Sequence, residues 1–94
     1  MPRFELAHLN EQSVDLIIIP LEQSFGYKGI GQKNDIRDQL QLRAQSAGLR
    51  GTVVPVWDAG GGRMGFLAPR SFQPFFQSIG LNYVYSNLNR ELSW

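Results

Sequence analysis

Ninety-four residues, 43% of them hydrophobic and 18% charged, describe a single folded domain (residues 1–94) and not a disordered chain. Nine basic against eight acidic side chains leave a net charge of +1, which counts against a nucleic-acid partner, since such domains carry a much larger basic excess. No cysteine is present, so disulfides, thiolate nucleophiles and Cys-ligated metals are excluded.

The absence of cysteine fits a cytoplasmic chain. The first residues, Met-Pro-Arg-Phe-Glu-Leu-Ala-His, lack the apolar core of a secretion signal. The longest apolar run, Leu16 to Leu21, contains Pro20 and is too short to span a bilayer, so no membrane partner is expected.

Arg3 to Leu9 alternates, with Phe4, Leu6 and His8 on one face and Glu5, Ala7 and Leu9 on the other, which is a strand pattern. Polar Asn10 to Ser13 reads as a turn. Val14 to Ile19 then runs almost continuously apolar, as a central strand buried on both faces does, and Pro20 ends it. The short turn makes these two strands an antiparallel hairpin.

Glu22 to Lys33 is aperiodic, carries Gly26, Gly29 and Gly31, and reads as a long loop. Asn34 or Asp35 caps the next element. Ile36, Leu40, Ala44 and Ala47 recur at helical spacing, and Gly48 followed by Leu49 gives a Schellman-type stop. Gly51 to Trp57 and Arg63 to Ala68 are β-prone runs flanking Asp58-Ala-Gly-Gly-Gly62, which predicts a second hairpin. Pro55 in its first arm predicts an edge position or a bulge.

Ser71 is an N-cap for a helix over 72–79, with Pro74 in its first turn. Leu81, Val84, Tyr85, Leu88 and Leu92 fit a helix over 81–92, the longer of two competing patterns; Leu81, Tyr83 and Tyr85 fit strand alternation. The fold class is therefore α+β. It is expected as a two-layer sandwich, a small and mainly antiparallel sheet covered by helices, in the order ββαββαα. A strand over 82–86 gives the alternative, the ferredoxin-like βαββαβ.

Five groups of residues bear on function. Asp58, Gly60, Gly61, Gly62 and Arg63 form a polar tip whose backbone N–H groups and guanidinium suit a carboxylate or phosphate. Phe25, Tyr27 and Lys28 sit in the first glycine-rich loop. That loop matches neither the Walker spacing nor G-x-G-x-x-G, and Asn34 and Asp35 at the helix start oppose a phosphate, so it reads as a partner-facing loop with exposed aromatics.

His8 lies on an apolar face and reads as a half-buried structural residue. Among the scattered acids, Asp15 in the most buried strand is the one best placed for a perturbed pKa. No metal-ligand or Ser/His/Asp spacing is present, and neither metal nor cofactor is expected.

Gly62-Arg-Met-Gly-Phe-Leu67 resembles half of the RNP1 motif of RNA-recognition domains: Gly65, Phe66 and Leu67 match its small, aromatic and aliphatic positions. That family also stacks bases on aromatics of neighbouring strands, where this chain has Met64 and the Leu16 to Leu21 run, so the six residues assign no family. Finally, Phe72, Phe75, Phe76, Tyr83, Tyr85 and Trp94 are dense for so short a stretch; most are expected in the core, and a surplus left exposed points to an interface and a homodimer, with Glu91 to Trp94 docking back or pairing with a second subunit.

The function these residues imply is that of a small binding protein, homodimeric, contacting a partner or an anionic ligand through the 23–33 loop and the Gly60–Gly62 hairpin. The alternatives are a small enzyme or nucleotide-responsive domain, with Asp15 or Asp58 as base and Arg63 with Lys28 holding an anionic substrate, and single-stranded nucleic-acid binding through Arg37, Arg43, Arg50, Arg63 and Arg70.

Overall fold

A computed structural model describes residues 3–11 and 14–93. The elements are β1 (Arg3–Glu11), β2 (Val14–Pro20), a 3-10 turn over Gln23–Tyr27, α1 (Ile30–Ser46), β3 (Thr52–Gly60), β4 (Arg63–Phe66), a 3-10 turn over Arg70–Phe72, α2 (Gln73–Ser78), α3 (Leu81–Ser86) and β5 (Arg90–Ser93). The five strands form one open sheet in the order β4-β3-β2-β1-β5. β2 and β3 are parallel, joined across α1; the other neighbours are antiparallel.

β2 is central because its residues are apolar without interruption. Ile17 and Ile19 face one side with Leu6, Val53, Leu92 and the α1 residues Leu40 and Ala44. Leu16 and Ile18 face the other, with Ala7, Val54, Val56, Phe76 and Val84. A side-chain period of two delivers alternate isoleucines to two separate cores. Both faces are thus covered, α1 on one and α2 with α3 on the other, and the expected two-layer sandwich is corrected to three layers.

The predicted order also gains a strand. Residues 81–92 do not continue as one helix: α3 stops at Ser86, and Arg90–Ser93 pairs with β1, setting Leu92 opposite Phe4. Asn87 closes α3, its side-chain amide donating to the Tyr83 carbonyl at 2.7 Å. Because residues 82–86 are helical and β2 lies directly beside β3, the ferredoxin-like alternative is overturned too. The docked 91–93 segment removes one argument for a subunit exchange; Trp94 lies outside the described residues.

Pro55 is neither at an edge nor in a bulge. It is buried in β3, an interior strand. Its carbonyl accepts the Leu67 N–H at 3.0 Å, so its missing donor also points towards the β4 side, one residue beyond the end of β4. The gap in the ladder falls where the ladder is already finishing.

Helix α1 begins at Ile30, four residues before the expected cap. Gly29 is the N-cap and makes no side-chain bond, and Asn34 and Asp35 lie in the second turn. Its C-terminus is as expected: Leu49 N–H reaches the Ala44 carbonyl at 2.9 Å and Gly48 N–H the Gln45 carbonyl at 3.0 Å, the two bonds of a Schellman motif.

Candidate functional site

The parallel pairing of β2 and β3 sends both chains towards the same end of the sheet. In open α/β sheets this carboxyl end is where ligands collect. Here the turn over Gln23–Tyr27 leaves β2 and packs against β3 at the base of the β3–β4 hairpin. Their junction is Trp57.

The Trp57 indole is buried on the α1 side of β3, with 8% of its surface exposed. Phe25 meets it edge-on, ring centroids 5.0 Å apart, and the Lys33 ammonium lies 4.8 Å from the ring centre. Two glycines make the space. A Cβ on Gly65, opposite Trp57 in the ladder, would overlap the indole, and one on Gly26 would sit 2.6 Å from Nε1. Gly26 and Gly65 are therefore packing glycines, and Phe25, expected as an exposed contact residue, is buried.

At the tip, a register shift between Asp58 and Gly60 inserts a bulge before Gly60 pairs with Arg63. Gly61 and Gly62 make the two-residue turn. All three glycines have positive φ (92°, 60° and 77°), which a Cβ opposes and which the I′ turn demands at both central positions. Asp58 accepts the Gly60 N–H at 2.8 Å. Neither ion pair among the described residues involves Asp58 or Arg63, so the expected clamp is open: the acid serves the turn, and the exposed guanidinium is left to solvent.

A groove of about 730 Å³ opens beside the first loop. Phe4, Leu21, Phe25 and Ile36 contribute apolar walls, Tyr85 and Leu88 close one side, and Arg3 and Lys28 bring cations against Glu5 and Glu22. Of the predicted contact residues, only Phe25 and Lys28 line it. Tyr27 points outward with 81% of its surface exposed, next to Ile30 at 65%. Arg3 is engaged by Glu91 at 2.7 Å across the β1–β5 pair. Sequence reasoning missed Trp57 and Tyr85 as parts of this region, since periodicity assigns a residue to an element and a face but does not say which distant segment packs beside it.

The remaining candidates are scattered. Asp15 is half-buried at the opposite end of β2, where its carboxylate takes the Asn10 amide at 2.8 Å, far along the strand from Lys28 and Arg63. His8 is half-buried as expected; its Nε2 carries the proton and donates to the Arg50 carbonyl at 2.7 Å. The five arginines do not converge: Arg37 pairs with Asp38 at 3.1 Å, Arg43 lies in the last turn of α1, Arg50 precedes β3, Arg63 follows it and Arg70 opens the turn before α2. Phe66 packs on Phe76 beneath the helices, centroids 5.6 Å apart, so the RNP1-like segment presents no stacking platform.

Among the described residues no helix is long and apolar enough to cross a membrane. Compared with known proteins, the chain matches no family model, no curated protein and no solved structure. What fold and site define is a three-layer α+β domain with two glycine-bearing segments and charges of both signs at the carboxyl end of β2 and β3.

Proposed function

We propose that this is a small cytoplasmic binding protein that takes an anionic ligand, or an anionic group of a partner, at the carboxyl end of β2 and β3, and that it self-associates as a homodimer. The observation that carries the reading is the packing of Phe25 and Gly26 of the 23–33 loop, together with Gly65 of β4, around Trp57 at the base of the β3–β4 hairpin. Lys28 stands at the mouth of a groove with apolar walls, and Arg63 is free at the hairpin tip. A ligand with a carboxylate or phosphate on an apolar body answers both features: the body fills the groove and the charge meets the ammonium.

The test is a thermal-shift screen of aliphatic and aromatic carboxylates and phosphomonoesters, followed by titration of the best compound. Binding is expected, weakened about tenfold by Lys28→Ala, as loss of a charge-assisted hydrogen bond implies. A panel in which no compound raises the melting temperature, or one whose affinity neither Lys28→Ala nor Arg63→Ala alters, sinks the proposal.

A further inference from the structure

Among the described residues the sheet has four open stretches of edge, and the chain bonds part of two of them with its own side chains. Below the end of β4, the outward N–H of Val53 and the Gly51 carbonyl are both bonded by the Gln41 side-chain amide from α1. Below the start of β5, the outward N–H and carbonyl of His8 are both bonded by the Asn89 side chain, at 2.9 and 3.1 Å. The third stretch, the outer side of β5, carries Arg90 and Glu91, charges of the kind that blunt an edge.

The fourth stretch is the outer side of β4, and it is different. Leu67 N–H bonds the Pro55 carbonyl, so the pair 55/67 is hydrogen-bonded; by alternation 57/65 is too, and Met64 and Phe66 turn their N–H and carbonyl groups away from β3. These four polar groups lie on a strand whose one charge, the exposed Arg63, stands at its start, with Gly65 inside it and half-buried Met64, Phe66 and Leu67 around it. An extended strand laid alongside meets all four of these donors and acceptors at once.

We infer that β4 pairs antiparallel with β4 of a second copy of this chain, the two-fold axis passing between their Gly65 residues. This rests on the self-association in the proposed function and supplies its surface. The register follows from two conditions. Opposed residues must share a face, which admits, among others, the register with Gly65 against Gly65, Met64 against Phe66 and Arg63 against Leu67 of the second copy. The outward groups must also fall in hydrogen-bonded pairs, and this register puts Met64 and Phe66 in them, giving four bonds in all.

In the same register the Met64 thioether meets the Phe66 ring on the α2 side, a favourable sulfur–aromatic contact. The two Arg63 side chains are held apart by the length of the strand, so no like charges oppose. Gly65 brings no side chain to the axis, and the two sheets join into one of ten strands. A second copy is favoured over an unrelated peptide because its own edge supplies the complementary pattern without further assumption.

The experiment is sedimentation equilibrium together with amide hydrogen exchange by NMR, from about 20 μM to about 1 mM, a range that brackets weak, small interfaces. The molar mass is expected to rise from 10.6 kDa towards twice that value, with the Met64 and Phe66 amides gaining protection over the same range. Met64→Pro removes an outward donor that the inner ladder does not use, and is expected to weaken association about tenfold or more. Leu67→Lys, which sets a cation opposite Arg63, is a second disruptor that leaves the backbone intact.

A monomer at every concentration overturns the inference, as does a dimer that both variants leave unaltered or one that protects the β5 amides instead. Ligand binding at the groove is read separately by titration, so its failure and that of the β4 pairing are distinguishable.

Discussion

The side chain of Gln41 and the backbone of Val53 are bonded as two strands would be. The amide oxygen accepts the Val53 N–H at 2.8 Å, while its nitrogen donates to the Gly51 carbonyl at 2.9 Å. One helical residue thus fixes the loop that delivers β3 to the sheet. It also ties α1 to the strand whose far end carries Trp57 and the hairpin.

Removing that amide leaves a donor and an acceptor unmatched in a half-buried place. Gln41→Ala is expected to cost about 2 kcal/mol, from two lost bonds and the desolvation of their partners. Urea unfolding measures it, and hydrogen exchange locates it: the Val53 amide loses protection before those of β2. A loss below about 0.5 kcal/mol, the range of an ordinary surface substitution, contradicts the capping role.

Around Trp57 the expectation concerns coupling. Gly65→Ala and Gly26→Ala each push a methyl group into the indole, and overpacking of this kind costs about 1–3 kcal/mol per site. In a Trp57→Leu background the indole is gone and either alanine is expected to cost little more than the Trp57 change alone. Double-mutant cycles on melting curves read the interaction term, and additive effects contradict the packing role of the two glycines.

Much of this architecture is legible in the sequence, and the exceptions have physical causes. The strands β1 and β2 and the α1 stop are written in local pattern: alternation, an unbroken apolar run, and Gly48 before Leu49. The start of α1 is not, because Ile30-Gly-Gln-Lys33 lacks a capping side chain and contains a poor helix former, and the bonds continuing up from Asn34 extend the helix over it. β5 is hidden for a different reason. Arg90–Ser93 is four residues long, and its strand character comes from pairing with β1, more than eighty residues away in the chain.

At the site, the glycine-rich tip and the exposed Arg63 were readable, because three consecutive glycines announce a backbone that ordinary residues avoid. The roles of Gly26 and Phe25 were not. Only the tertiary neighbour, Trp57, distinguishes a glycine that packs from one that flexes. Composition is the same in both cases.

That distinction gives the last prediction, a contrast among glycines. At the hairpin tip, Gly60, Gly61 and Gly62 stand in open space but at positive φ, so alanine at any of them is expected to destabilise by about 1–2 kcal/mol through the backbone alone. Gly31 also stands in open space, but inside the first turn of α1, where alanine is the better residue. Gly31→Ala is expected to stabilise by about 0.5–1 kcal/mol, by restricting the unfolded chain and raising helix propensity. Opposite signs in thermal unfolding, from one methyl group added with no steric contact at either place, separate conformational from packing effects. Equal signs contradict either the turn geometry at the tip or the early start of the helix, and the amide exchange of Lys33, whose N–H bonds the Gly29 carbonyl at 3.0 Å, tells which.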